Sequence, residues 1–381
     1  MNRWITPGRA SVLVGGQFGS EGKGLAAAWL AEWAQNDGMT PDIATTNAGA
    51  QAGHTTRYRS GTQFICYHLP TTGVTRLKRA SPSYSGCQSY VNAGSIIDVD
   101  ALLKELDDCT GHRPWLLNLT IHPRAAIITD AAREEENRPD AATTKTASTR
   151  KGVGATIAGK IMRRIALAGD DERLKQHGYI GVIDLNRALI NDSKTVVVEI
   201  PQGTDLSINH GLEYPYVTSR DCWVGSGLSD AGIHPSLVGP ICMVVRTMPI
   251  RVGNIVDEFG HQLGQSGPFY PDGPELSWER DLPGVEPERT TVTKRIRRIA
   301  AWSDQQYDHA IRLNHPTIIF VNFLNYLRDA NQLHDLIRRM RRMEEHVLRE
   351  PPMHAYSFGP CVEDVVTDFN QAVAWYDRRD F

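Results

Sequence analysis

One stretch near the start of the chain has the residue types of a phosphate cradle: Gly15-Gly16-Gln17-Phe18-Gly19-Ser20-Glu21-Gly22-Lys23-Gly24. It follows an apolar run, Ser11-Val12-Leu13-Val14, and opens a helical pattern from Leu25 to Trp33. Glycines let backbone N–H groups approach an anion, and the helix N-terminus adds its positive end. Lys23 adds a point charge suited to a terminal phosphate. The spacing is not that of a standard P-loop. Five residues separate Gly16 from Gly22, and Gly24 stands where that motif has a Ser or Thr hydroxyl for Mg²⁺. The spacing therefore predicts a metal held in another way.

The elements that must position this loop are legible as short β-branched runs alternating with helical periodicity. Strands are expected at Ser11–Val14, Asp42–Thr46, Thr195–Ile200, Met243–Arg246 and Thr317–Val321. Helices are expected at Gly22–Gln35, Val99–Asp108, Ile157–Leu167, Asp304–Leu313 and Asp329–Leu348. The alternation predicts an α/β protein with a mostly parallel central sheet, flanking helices and ligands at the strand C-terminal ends. Two polar segments, Arg133–Gly154 and Asn254–Thr291, read as long substrate loops or as unstructured chain. With no linker or repeat, the 381 residues are read as one domain, 1–381.

A net charge of −3 gives no bulk reason to bind nucleic acid. The basic run Ile337–Arg342 lies in a helical pattern and reads as a solvated face. Six scattered cysteines without a CxxC pair fit a reducing, cytoplasmic setting better than a zinc site or disulfide scaffold. Neither a signal-peptide core nor a membrane-length apolar run is visible.

Three further motifs gain meaning beside the first loop. They are Ala48-Gly49-Ala50-Gln51-Ala52-Gly53-His54-Thr55, then Glu199–Thr204 with Asn209-His210-Gly211 and Tyr214–Ser219, then Thr293-Lys294-Arg295-Ile296-Arg297-Arg298. Jointly, and in this order, they resemble adenylosuccinate synthetase, from the first strand to Ser357-Phe358-Gly359-Pro360. The resemblance implies a two-step C–N ligation. A nucleoside triphosphate phosphorylates the 6-oxygen of a purine nucleotide, and the amine of L-aspartate displaces the phosphate. Charge builds between anionic partners, so such a site needs donors and a metal.

What the resemblance implies for single residues follows by position. Lys23 would contact the moving phosphate, and His54 would donate to that phosphate or to the 6-oxygen. Gln51 and Gln202 would contact the purine nucleotide, and Thr149, Thr218 and Arg163 its 5′-phosphate. That Arg comes from a partner subunit in the family, which implies a homodimer. Thr293, Arg295 and Arg297 would capture aspartate, whose carboxylates suit guanidinium forks. Gly22, Lys23, Gly24, Gly53, His54, Thr55, Asn322, Asn325, Gly359 and Pro360 would bind the triphosphate donor. Ser20 and Gly53 would hold Mg²⁺.

Two positions depart from the family pattern. Ser20 replaces an Asp that takes the purine N1 proton and ligates the metal. A dead enzyme is one reading. The favoured reading is room beside purine C2 for a 2-amino group, with Ser20 Oγ accepting one of its hydrogens. What removes the N1 proton is open: Glu21, a metal-bound water, or a relay through Ser20. The second departure is Asn325, where an Asp reads guanine. An amide offers one acceptor and one donor, which suits adenine and hence ATP or dATP, unless discrimination is simply lost. Both departures resemble a phage branch that makes 2-aminoadenylosuccinate from dGMP. The expected reaction is therefore dGMP, L-aspartate and ATP (or dATP) to N6-succino-2-amino-2′-deoxyadenylate. The alternatives are an ordinary family member using IMP and GTP, or a nucleotide-binding regulator without catalysis.

Overall fold

The structure, a computed structural model, describes residues 4–75, 77, 86–138, 141–259, 261–290 and 294–378, the side chain of Thr144 excepted. Nine strands form the central sheet. They are β1 (Ala10–Gly15), β2 (Ile43–Thr46), β3 (Gln88–Val91), β4 (Leu119–Ile121) and β5 (Val196–Gly203). The rest are β6 (Val238–Arg246), β7 (Ile318–Asn322), β8 (Met353–Ser357) and β9 (Val365–Val366). Their order is β9-β8-β7-β6-β1-β5-β2-β3-β4. Neighbouring strands run parallel except β9, which is antiparallel to β8. The expected α/β architecture is present.

The central strands are apolar on both faces, which fixes them inside the sheet. Val12, Val14, Val198, Met243, Val245, Ile319 and Val321 enter one core. Leu13, Val197, Cys242, Val244, Ile318 and Phe320 enter the opposite one. Each fully buried aliphatic side chain contributes roughly 1.5–3 kcal/mol. This alternation therefore outweighs the weak preferences of individual residues. The first strand ends up between β5 and β6, where the order of strands reverses, and its C-terminal end opens a crevice there.

Helix α1 (Lys23–Asn36) follows β1 directly and buries its Leu25, Ala26, Ala27 and Leu30 against the second core. The segment expected as a loop at Arg133–Gly154 begins instead inside helix α2 (Asp130–Asn137), capped by Thr129. Its composition is too polar to show an apolar stripe, so tertiary packing decides it. Helix α3 (Val153–Ile161) starts earlier and stops sooner than Ile157–Leu167, because Arg163 turns into the left-handed region (φ 59°). Helices α4 (Asp304–Asn314) and α5 (Ala330–Val347) match their expected spans within two residues. In α5 the basic run divides: Arg338 and Arg342 are exposed, as a solvated face requires, while Ile337 and Met340 are buried, Arg339 pairs with Asp304, and Arg341 pairs with Glu344. The segment 254–290 carries only short pieces, including the hairpin Ile255–Val256 with Gln262–Gly264 and the turn Trp278–Asp281. Among the described residues no helix is long and apolar enough to cross a membrane, and all six cysteines are free.

Candidate active site

A cavity of about 740 Å³ opens at the C-terminal ends of β1 and β5. Ser20, Gly22, Lys23 and Gly24 line it from the first loop, and Gln51, Gly53, His54 and Thr55 from the segment after β2. Thr149, Gln202, Thr218 and Arg297 complete the wall. These residues span most of the chain, and the fold brings them to one place.

Gly22, in the left-handed region at φ 89°, is the cap of α1 and turns the chain into the helix. A Cβ there would lie 2.1 Å from Asn322 Nδ2, so only glycine fits. That amide donates to the Glu21 carbonyl at 3.0 Å and ties the loop to the end of β7. Gly24 explains the departure from the P-loop pattern. A Cβ at Gly24 would sit 2.6 Å from the Thr55 carbonyl oxygen and 2.8 Å from the His54 carbonyl carbon. The position that carries a hydroxyl in a P-loop is here the seat of another backbone segment. Thr56 Oγ1 donates to the Gly24 carbonyl at 2.9 Å and clasps the two together. This close approach carries His54 to the phosphate loop.

Glu21 is not a candidate base for the purine. It is fully buried beneath the loop, absent from the cavity wall, and accepts from the N–H groups of Gln17 (3.1 Å) and Gly19 (2.8 Å). Its other oxygen accepts from Lys23 Nζ at 2.8 Å. Burial opposes its ionisation, but the Lys23 ammonium together with the backbone N–H donors outweighs burial and holds the carboxyl below the usual range. The loop thus contains its own ion pair.

His54 Nε2 lies 2.9 Å from the Pro201 carbonyl, which can only accept, so Nε2 carries the hydrogen. Burial, then the Lys23 charge, push the imidazole down to about 4. His54 is therefore neutral at neutral pH and works as a hydrogen-bond donor. Gln202 is oriented at both ends: its Nε2 donates to Thr218 Oγ1 at 2.9 Å, and its Oε1 accepts from Cys222 Sγ at 3.6 Å. Ser20 is exposed on the wall, at φ 58°, and its hydroxyl has no partner among the described residues.

The aspartate-loop residues divide. Arg297 faces the cavity with no hydrogen bond to its guanidinium among the described residues; burial lowers its pKa, and the Glu288 charge works against that fall. Arg295 points elsewhere, donating to the carbonyls of Gly253 (3.0 Å) and Ala147 (3.2 Å). Thr293 lies outside the described residues. Arg163 is exposed on the turn after α3, away from this chain's cavity, beside the exposed Ile161 and Met162. Of the expected donor residues, Gly22, Lys23, Gly24, Gly53, His54 and Thr55 line the cavity, whereas Asn322, Asn325, Gly359 and Pro360 lie off its wall, at or after the ends of β7 and β8. Asn325 sits in the turn Leu324–Tyr326, and Gly359 and Pro360 follow Ser357. Asn322 braces the loop rather than facing the cavity.

Sequence reading missed Arg246, Arg251 and Glu288. Arg251 lies on the cavity wall, its guanidinium 4.0 Å from the Phe18 ring centroid. Nearby Asp205 is fully buried, accepts from the Tyr270 hydroxyl at 3.0 Å and from Gln306 Nε2, and is pushed up to about 6 by burial. A charged residue set in an apolar run, as in Val245-Arg246 and Ile250-Arg251, was the available signal.

The comparisons with known proteins agree over nearly the whole length. The family model described as adenylosuccinate synthetase matches residues 12–177 and 171–367. The N6-succino-2-amino-2′-deoxyadenylate synthase of Salmonella phage PMBT28 is 35% identical, over 94% of this chain and 98% of its own. An adenylosuccinate synthetase of Pyrococcus is 29% identical over 97% and 98%. The solved succinoaminodeoxyadenylate synthetase of cyanophage S-2L, bound to dGMP and dATP, superposes with a TM-score of 0.79 at 32% identity, covering 97% of this chain and 99% of that one. Adenylosuccinate synthetase of Plasmodium falciparum shares the fold, with a TM-score of 0.68 at 19% identity, over 95% and 100%. Motifs, sheet order and full-length similarity converge, and the chain belongs to the adenylosuccinate synthetase family.

Proposed function

We propose that the protein condenses dGMP with L-aspartate, driven by ATP or dATP, to give N6-succino-2-amino-2′-deoxyadenylate. The observation that carries the reading is the exposed, unpartnered Ser20 hydroxyl on the cavity wall, where ordinary family members carry a carboxylate. The two phage relatives support the same substrate, since one is named for this product and the other holds dGMP and dATP.

In the first step the purine N1 proton passes to solvent water by way of the exposed Ser20 hydroxyl, and the 6-oxygen attacks the terminal phosphorus of the donor, releasing a nucleoside diphosphate. In the second, the aspartate amine attacks C6, and the C6–O bond breaks with departure of phosphate. Lys23 and the N–H groups at the start of α1 draw charge off the transferring phosphoryl group. Neutral His54 donates its Nε2 hydrogen toward the 6-oxygen after leaving Pro201. Gln202, fixed by Thr218 and Cys222, orients the purine, and Arg297 takes an aspartate carboxylate.

Among the described residues no cluster of three acidic, His or Cys ligands is present. Ser20 and Gly53, which line the cavity, offer oxygen donors of the kind Mg²⁺ takes, and that ion keeps several waters and is carried largely on substrate phosphates. The Ser20 hydroxyl and Gly53 backbone would hold it, and bound there it would neutralise phosphate charge. Arg163, exposed beside two apolar side chains, would complete the 5′-phosphate site of a partner subunit in a homodimer.

The test is phosphate release with L-aspartate and either dGMP or IMP, crossed with ATP, dATP or GTP as donor. Turnover of dGMP with an adenine donor at higher kcat/KM than IMP is expected. Faster turnover of IMP overturns the substrate assignment.

A further inference from the structure

Three segments far apart in sequence converge on one side chain, Arg246, at the end of β6. It is fully buried, and its guanidinium is used on every edge. Nε donates to the Met248 carbonyl at 2.7 Å, Nη1 to the Ser20 carbonyl at 3.1 Å, and Nη2 to Glu288 Oε1. The Phe323 ring covers its face, 3.8 Å from the guanidinium carbon to the ring centroid. Its backbone is gripped as well: Gln17 Nε2 donates to the Arg246 carbonyl at 3.1 Å, and the Arg246 N–H donates to Gln17 Oε1 at 2.9 Å.

Glu288 extends the chain of contacts. Its Oε1 also accepts from the Tyr326 hydroxyl at 2.8 Å, and its backbone carbonyl accepts from the Arg297 N–H at 2.8 Å. Burial opposes its ionisation, but the Arg246 charge together with the hydrogen bonds from Arg246 and Tyr326 outweighs burial and holds it below the usual carboxylate range. The pair is therefore charged on both sides. One end holds the carbonyl of Ser20, a residue with a side chain in the left-handed region. The other end holds the backbone of Arg297, whose guanidinium lies on the same cavity and feels the Glu288 charge.

We infer that Arg246 and Glu288 form a positioning pair that sets both substrate pockets together, fixing Ser20 against the purine and Arg297 toward aspartate. The inference rests on the ligase reading of the cavity. Neither side chain lines the cavity, so each acts through the residue it holds. A fork is needed for this role, because one group must reach Ser20, Glu288 and Met248 at once, and an ammonium has no such fixed geometry.

The experiment uses the full chain with Glu288→Gln and, separately, Arg246→Lys. KM for the purine nucleotide and KM for L-aspartate are measured with the dissociation constant of ATP and the melting temperature. In both variants the two KM values should rise together by about tenfold or more. ATP affinity should stay within about twofold, because Lys23 is held by Glu21 and not by this pair. A rise confined to one substrate, or unchanged KM values in a variant that melts lower, overturns the inference. So does failure of both variants to fold, which would leave the pair a purely structural element. Wild-type turnover of dGMP in the same assay judges the substrate assignment separately. The variant-to-wild-type ratio is taken with whichever 6-oxopurine nucleotide the wild type consumes.

Discussion

Gly24→Ala is the sharpest test of how the phosphate loop and His54 are joined. In an ordinary helix this change is stabilising by about 1 kcal/mol, because alanine restricts the unfolded backbone and favours helix. Here the new Cβ would sit 2.6 Å from the Thr55 carbonyl oxygen and 2.8 Å from the His54 carbonyl carbon, whereas ordinary contact begins at 3.4 Å. The backbone must give by roughly 0.8 Å, and the obstacle is main chain rather than a flexible side chain tip. Overpacking of this kind costs about 1–3 kcal/mol, which exceeds the propensity gain. The displaced atoms belong to His54 and its neighbour, so the donor to the transferring group moves by nearly the same distance. A shift of about 1 Å in such a group costs roughly 100-fold in rate. Thermal melts and steady-state phosphate release on the same preparation would measure both effects. An alanine variant that melts higher than wild type and turns over at the wild-type rate would refute the close-packing argument.

Ser20→Asp should lower kcat/KM for dGMP relative to IMP by at least about tenfold, since the carboxylate crowds the 2-amino edge while Asp tolerates the left-handed backbone. Paired assays with both nucleotides check it, and an equal effect on each counts against the pocket argument. Because burial and the Lys23 charge push His54 down to about 4, its ring should stay neutral throughout the range from about pH 5 to 8. An NMR titration assigned with His54→Asn reads this, and a midpoint near 6.5 would contradict it. The same shift predicts stability present above the unfolded histidine value and lost as pH falls toward about 4. Asp205 has the opposite sign. Raised from 3.8 to about 6 by burial among Tyr270, Gln306, His309 and Arg251, it retains a proton in the folded state that the unfolded chain has released. Stability should therefore fall as pH rises from about 4 to about 6, by at most about 3 kcal/mol. Melts of wild type and Asp205→Asn across that range should diverge, and parallel curves would dismiss the effect.

Local motifs were the legible part of this molecule. The strand, loop and helix from Ser11 to Trp33 could be read because glycine spacing, Lys23 and the apolar runs are all local. The expected strands within β5, β6 and β7 were legible for a similar reason, since two-sided burial leaves continuous apolar runs. β3, β4 and β8 were not, being only three to five residues long with Gln88, Thr120 or His354 in them. Arg163 and Arg246 show two other limits. A left-handed turn at an arginine carries no sequence mark, so α3 read too long. A buried guanidinium reads as a strand end until its counter-charge, 42 residues away, is seen beside it. The contact between Gly24 and the His54 strand was equally hidden. The missing hydroxyl was visible, but the backbone that fills its place was not.

The ion pair between Glu21 and Lys23 has a consequence for turnover. An empty P-loop-like cradle with a bare lysine would attract stray anions and would be reluctant to let the spent phosphates go. In this chain the ammonium keeps an internal counter-ion, so the vacated cradle has somewhere to rest its charge. An arriving triphosphate competes with a carboxylate instead of meeting naked charge, and a departing diphosphate leaves the turn already neutral and already shaped for the next cycle.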